Sequence, residues 1–93
     1  MSAAPGPDGD EPFTFPCRFP IKVMGRQEAG FEALVLGLIA EHVGTVGPDS
    51  VRRQASSNAR YVSVTVTITA ESRAQLDSVY RSLTACAKVL LVL

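Results

Sequence analysis

The sequence predicts an α+β fold in which two helices cover one face of a four-stranded antiparallel sheet. One stretch alternates apolar and hydroxyl side chains without a break, which is typical of a strand with one buried face and one face in water. Its apolar members are Val62, Val64, Val66 and Ile68. Two other stretches, around Val35 and Val79, repeat apolar side chains at helical spacing. Shorter apolar runs flank them and predict the remaining strands.

Composition indicates one small globular domain. The chain has 93 residues, of which 46% are hydrophobic and 19% charged. A domain of this size buries only about two-thirds of its unfolded surface, so we expect a homodimer. No apolar run approaches the roughly 20 residues that span a bilayer, and the first residues show no secretion signal. We therefore expect a cytosolic (cytoplasmic) protein without membrane contact.

Charge is unevenly distributed along the chain. Residues 1–12 contain three prolines, two glycines and three acids but no basic residue, and they are predicted to form a disordered tail. Residues 13–93 form the predicted domain and contain nine basic and six acidic side chains. This balance is mild for a dedicated nucleic-acid binder.

The first half of the domain predicts a strand and then a helix. Residues 18–24 alternate, with Lys22 and Met24 on the face opposite the apolar one, and Gly25 is predicted to end the strand and open a loop. A helix is expected over residues 29–41. Gly37 weakens it by about 1 kcal/mol relative to alanine and is expected to allow close packing on the sheet.

The second half predicts a hairpin, a helix and a strand. Residues 51–55 form an edge strand, and a turn over residues 57–60 leads into the central strand, residues 61–69. Ala59 tolerates positive φ poorly, so a plain two-residue type I′ turn is not expected. Ser72 and Gln75 form a capping box that begins the second helix. Residues 88–93 are the last strand.

The resulting order, βαββαβ, predicts a ferredoxin-like arrangement with the strands in the spatial order fourth, first, third, second. The first and third strands are then antiparallel neighbours. Tyr61 and Ser63 should therefore lie close to Lys22 and Met24 on the face without helices, beside the loop opened by Gly25. These five residues are the candidate ligand- or partner-binding site.

Several motifs resemble the YbeD-like family of small bacterial proteins. They are Phe15-Pro16, Lys22-Val23-Met24-Gly25, Ser56-Ser57 followed by Tyr61 and Ser63, and the closing Val-Leu. The resemblance spans residues 13–93 and departs at Ala59, where the family usually has glycine. It implies a ferredoxin-like fold similar to ACT-type regulatory domains, and it implies no established activity.

The cysteines and the single histidine are predicted to be structural. Cys17 and Cys86 form no CxxC pair and begin strands whose starts lie at opposite ends of the sheet, so we expect reduced thiols. His42 ends the first helix, where it is expected to cap carbonyls or interact with the helix dipole. The sequence predicts no metal, no cofactor and no catalytic residue.

The sequence is compatible with three functions. An acylphosphatase-like enzyme is suggested by Val23-Met24-Gly25-Arg26, which resembles that family's phosphate loop, but Glu32 stands where that family has arginine. Threonine also replaces that family's asparagine on the central strand. RNA binding suits the topology, but it requires stacking aromatics and the open sheet face offers Tyr61 alone.

The function that the sequence favours is therefore a non-enzymatic binding or regulatory module that acts through its open sheet face. Its partner could be a second copy, another protein or a small molecule bound beside Gly25. The same hydroxyl-rich face is equally compatible with a merely solvated surface, because threonine favours strands in any context.

Overall fold

The computed structural model describes residues 14–93. Its elements are β1 (Cys17–Arg26), α1 (Phe31–Val43), a short 3₁₀ helix (Pro48–Ser50), β2 (Val51–Ala55), β3 (Tyr61–Ala70), α2 (Arg73–Thr84) and β4 (Val89–Val92). The strands form one antiparallel sheet in the order β2-β3-β1-β4. The predicted ferredoxin-like βαββαβ fold is confirmed. The predicted tail, residues 1–12, and Phe13 lie outside the described residues.

The pairing of β1 with β3 is the longest in the sheet. Ten consecutive pairs run from Cys17 opposite Ala70 to Arg26 opposite Tyr61. Residues directly opposite each other in an antiparallel pair lie on the same face. This register therefore decides, for both strands together, which side chains meet the helices and which meet water.

The core lies between the sheet and the two helices. Ile21 and Val23 of β1 and every second residue of β3 are buried against apolar side chains of α1 and α2. The helix residues in this core are Phe31, Val35, Ile39, Leu76, Val79 and Leu83. Burying a valine, leucine or isoleucine contributes about 1.5–3 kcal/mol, so this one layer supplies most of the driving force for folding.

The structure corrects the predicted end of β1. The strand continues to Arg26, and Gly25 pairs with Val62 of β3 on one side and Val89 of β4 on the other. The prediction that Gly25 ends the strand and opens a loop is therefore wrong. The helix begins at Phe31, later than predicted, because Gly30 before it adopts φ 87°, a left-handed conformation that favours glycine.

The structure also corrects the packing role predicted for Gly37. It is exposed, and a Cβ atom added to it would have no atom outside its own helical turns within 4 Å. The expectation that Gly37 allows the helix to pack closely on the sheet is wrong. The missing side chain of Gly37 therefore makes room for no neighbouring element among the described residues.

The predicted helix cap at Ser72 is present, and it also joins the two helices. Ser72 Oγ accepts a hydrogen bond from the Gln75 N–H at 3.1 Å. The Gln75 side chain accepts from the Glu71 N–H at 2.6 Å and donates to the carbonyl oxygen of His42 at 3.0 Å. The cap thus fixes the start of α2 against the end of α1.

His42 lies in the last turn of α1, the position predicted for an interaction with the helix dipole, and it also makes a contact that was not predicted. Its Nε2 atom is hydrogen-bonded to Ser82 Oγ of α2 at 2.6 Å. The side chain therefore connects the two helices and does not cap the carbonyls of its own helix.

The hairpin between β2 and β3 has a five-residue loop, residues 56–60, so the expected absence of a two-residue turn is confirmed. The Ser56 carbonyl accepts a hydrogen bond from the Ala59 N–H at 2.9 Å, and Ala59 has φ 58°. A left-handed conformation costs a residue with a Cβ atom about 1–2 kcal/mol. The loop therefore holds Ala59 in a strained conformation.

We expect Ala59→Gly to raise the free energy of unfolding by about 0.5–1 kcal/mol, because relief of this strain exceeds the entropy that glycine adds to the unfolded chain. Urea unfolding measures it. The matched control is Ala55→Gly in the exposed β2, which should lower stability by about 0.5–1 kcal/mol. Equal destabilisation by both substitutions would contradict the assignment of strain to Ala59.

Candidate functional site

One face of the sheet carries no helix, and we call it the open face. Its side chains follow from the strand registers, because partners opposite each other share a face. The open face consists of Arg18, Pro20, Lys22, Met24 and Arg26 of β1, Arg52 and Gln54 of β2, Tyr61, Ser63, Thr65, Thr67 and Thr69 of β3, and Leu91 and Leu93 at β4.

Every charged side chain on the open face is basic. Arg18, Lys22 and Arg26 recur at every fourth residue of β1, which separates neighbours by about 13 Å along the strand. Arg52 shares a row with Lys22, since both lie opposite Thr65. The acidic residues of the described chain lie in helices and loops: Glu28, Glu32, Glu41, Asp49, Glu71 and Asp77. The strands themselves contain none.

Four of the five predicted site residues come together on this face. Met24 lies directly opposite Ser63, and a shallow cavity of about 170 Å³ is lined by Lys22, Met24, Tyr61 and Ser63 together with residues of the β2 end. Ser63 is only 9% exposed and lies in the floor of this depression. We call this depression the Ser63 cleft.

Gly25, the fifth predicted residue, lies on the helix side of the sheet. A Cβ atom at this position would collide with the ring of Phe31 and come within 2.8 Å of the Lys88 carbonyl oxygen. Glycine is therefore required here by packing, and Gly25 does not border the Ser63 cleft as expected.

Sequence reasoning missed several residues of the open face. Arg26 lies opposite Tyr61 and was missed because β1 was ended at Gly25. Continuing the alternation through Gly25 would have found it. Leu91 and Leu93 were missed because β4 contains an irregular register beside Gly25, so its alternation cannot be read from sequence.

A cavity of about 590 Å³ lies on the other side of the sheet. It is bounded by residues 27–33 at the start of α1, by Leu36 and by the helix-side surface of β2 and β3. The loop after β1, where the sequence predicts that a small molecule could bind, forms part of the wall of this cavity. Its charged groups are already engaged, because Arg53 pairs with Glu32 at 3.1 Å and Glu28 pairs with Lys88 at 2.6 Å. It offers a ligand no unpaired charge.

The segment that resembles a phosphate loop does not form one. Val23 to Arg26 are strand residues between β3 and β4, so their backbone N–H groups point to neighbouring strands instead of converging on one point. Within residues 14–93, no three His, Cys, Asp or Glu side chains are grouped as metal ligands. Both cysteines are free. No helix among residues 14–93 is long and apolar enough to cross a bilayer.

Comparisons with known proteins identify the family. Residues 10–93 match the family described as "Protein of unknown function (DUF493)". A "UPF0250 protein" from Chromobacterium violaceum is 41% identical over 83 residues, covering 89% of this chain and 93% of that protein. One from Paraburkholderia phytofirmans is 40% identical over 81 residues, covering 87% and 91%.

A solved structure shares the fold. The solution structure of protein HP0495 from H. pylori superposes with a TM-score of 0.69, covering 100% of this chain and 98% of that one. The identity is 14%, so this likeness shows the fold alone.

The packing role of Gly25 can be tested. We expect Gly25→Ala to lower the free energy of unfolding by about 2 kcal/mol, because the added methyl group overpacks against Phe31 and a backbone carbonyl. Gly37→Ala is the matched control and should raise stability by up to about 1 kcal/mol, since it adds helix propensity in open space. Denaturant unfolding of both variants measures the difference. A neutral Gly25→Ala would refute the packing role.

Proposed function

We propose a function for this chain, which belongs to the YbeD-like family of unknown function, DUF493. The protein is a non-enzymatic binding and regulatory module whose open face binds an acidic segment of a partner protein. The observation that carries the proposal is the segregation of charge. The open face holds four basic side chains, whereas the acidic residues of the described chain lie in helices and loops.

Electrostatic complementarity favours an acidic partner. Arg18, Lys22, Arg26 and Arg52 form no ion pair within residues 14–93. Each is exposed, so one contact with a carboxylate is worth about 0.2–1 kcal/mol in water. Several such contacts steer a partner into register and speed its association. Specificity then requires apolar contacts as well.

The open face supplies those contacts at one side. Met24 lies between Ser63 and Leu91, and Tyr61 and Leu91 are 37% and 47% exposed. An aromatic or aliphatic anchor inserted between such side chains contributes most of the energy of a typical interface. The partner segment should therefore combine acidic residues with at least one large apolar side chain, which the Ser63 cleft would receive.

A protein partner fits this surface better than single-stranded RNA. Sequence-specific RNA recognition on such a sheet stacks bases on aromatic side chains of the central strands. Of the aromatic side chains among residues 14–93, Tyr61 alone lies on the open face, at the start of β3. Threonines occupy the remaining outward positions of that strand.

The absence of enzymatic activity is also part of the proposal. It is supported by the strand conformation of Val23–Arg26 and by the hydrogen bond that holds His42 against Ser82. Two free cysteines support the cytosolic location expected from the sequence.

The test measures binding of a fluorescent peptide of repeating Glu-Val units by anisotropy, with a Lys-Val peptide and oligouridine RNA as comparisons. In extended form the Glu-Val peptide presents all its carboxylates on one side. We expect Lys22→Glu to weaken its binding by about 3- to 10-fold, because one favourable charge contact becomes repulsive. Arg81→Glu makes the same change of net charge on the exposed side of α2 and should have little effect.

Two results would contradict this function. Equal weakening by Lys22→Glu and Arg81→Glu would show that only net charge matters. Tighter binding of oligouridine than of the Glu-Val peptide, lost in Lys22→Glu, would replace the acidic protein partner with RNA.

A further inference from the structure

The two edges of the sheet differ in their chemistry. The β2 edge carries Arg52 and Arg53, and charged residues on an edge strand discourage pairing with other strands. The β4 edge and the residue after it have the sequence Val-Leu-Leu-Val-Leu, without charge or proline. Leu90, Leu91 and Leu93 are 55%, 47% and 61% exposed. An apolar, unprotected edge is the feature expected of a strand that pairs with another chain.

The backbone of β4 shows where such pairing can occur. Lys22 and Leu93 exchange two hydrogen bonds, at 3.1 Å and 2.8 Å. In an antiparallel pair such residues alternate with residues whose N–H and C=O groups point the other way. Val92, opposite Val23, therefore directs its backbone donor and acceptor away from β1 and toward the free edge.

This edge is complementary to itself. If a two-fold axis passes beside Val92, the two Val92 residues exchange a pair of hydrogen bonds across the axis. Leu91 of each copy then lies opposite Leu93 of the other. Both leucines belong to the open face, where Met24 and Lys22 are their neighbours in β1. The exposed leucines would cover each other in two symmetric contacts.

The polar and charged side chains near β4 do not oppose a second copy. Lys88 forms an ion pair with Glu28 at 2.6 Å. The hydrogen bond to Glu28 is the larger cause, and the negative charge of Glu28 the smaller one, of a raised pKa of Lys88. Tyr80, which reaches β4 through a 3.4 Å hydrogen bond to the Leu93 carbonyl oxygen, is neutral. The Lys22 residues of two copies would be three strand spacings apart, about 14 Å, beyond the screening length in physiological salt.

We infer that two copies of this chain associate through antiparallel pairing of their β4 strands into one eight-stranded sheet, with Leu91 opposite Leu93 across the two-fold axis. The pairing uses the backbone of β4, which the proposed acidic partner does not require, although Leu91 belongs to both surfaces. The dimer therefore does not depend on the proposed function. The helices of both copies lie on one side, and the two open faces become continuous with an apolar centre. Cyclic dimers with such isologous contacts are the commonest oligomers.

The interface is small, and the association is correspondingly weak. Three paired residues on each strand and the neighbouring leucines bury less than the roughly 1,200 Å² of a standard interface. We expect a dissociation constant on the order of 10–100 μM for the full chain. Sedimentation equilibrium over about 5–500 μM measures it.

Substitution of Leu91 tests whether β4 forms the dimer interface. Leu91→Lys places two ammonium groups at the two-fold axis and should weaken dimerisation at least about tenfold. Thr67→Lys adds the same charge to the open face on β3, away from β4, and should leave the dissociation constant within about twofold. A wild-type protein that stays monomeric at all concentrations, or equal effects of both substitutions, would overturn the inference.

The register can be tested separately by disulfide formation in a Cys17→Ser/Cys86→Ser background. Leu91 and Leu93 of opposite copies form a non-hydrogen-bonded pair, whose Cα atoms lie about 4.5 Å apart, within the range that a disulfide bridges. A mixture of Leu91→Cys and Leu93→Cys proteins should therefore cross-link faster than either protein alone. Circular dichroism melting confirms that both variants fold. The proposed pairing would be overturned if one variant alone cross-linked as fast as the mixture, or if the mixture did not cross-link at all.

Discussion

The antiparallel pairing of β1 with β3 is the constraint on which the rest of the molecule depends. Ten consecutive pairs fix the two inner strands against each other. Because side chains alternate between faces, a slip of β3 by one residue would move Val62 and Val64 into water, and a slip of β1 would bring Lys22 against the helices. The buried valines exclude that slip energetically, since each is worth about 1.5–3 kcal/mol. The core thus determines the composition of the open face.

The same register separates two kinds of surface. Basic side chains lie along β1 and at Arg52 of β2, whereas exposed leucines collect at β4. The strand between them, β3, contributes mainly hydroxyl groups. A partner that docks on the open face would meet cations and the Ser63 cleft, and one that adds to the sheet would meet β4. The face and the edge of one sheet therefore differ in chemistry, and Leu91 belongs to both.

Much of the fold could be predicted from the sequence because its signals are local. The alternation in β3 has a period of two over its whole length, and the Ser72–Gln75 cap is a local hydrogen-bonding motif. The order of these elements predicted the topology, and the family motifs implied the same fold. Four of the five candidate residues could be placed on one face because the order of the strands was correct.

The errors concern information that is not local. Gly25 has the composition of a strand end, but it is glycine because the ring of Phe31 occupies the space where a Cβ would lie. That contact joins two elements and leaves no pattern in either. His42 finds its hydrogen-bond partner forty residues away, in α2. The directions of Leu91 and Leu93 depend on the irregular pairing beside Gly25 and could not be read from a run of apolar residues.

The most direct measurement locates the bound peptide on the protein. A nitroxide at the centre of the Glu-Val peptide broadens NMR signals of nearby methyl groups. The account predicts the strongest broadening at Met24 and Leu91 on the open face, with Ile39 in the buried helix layer little affected. Strongest broadening at Leu36 and Val46, which line cavities on the helix side, would show that the open face is not the binding surface.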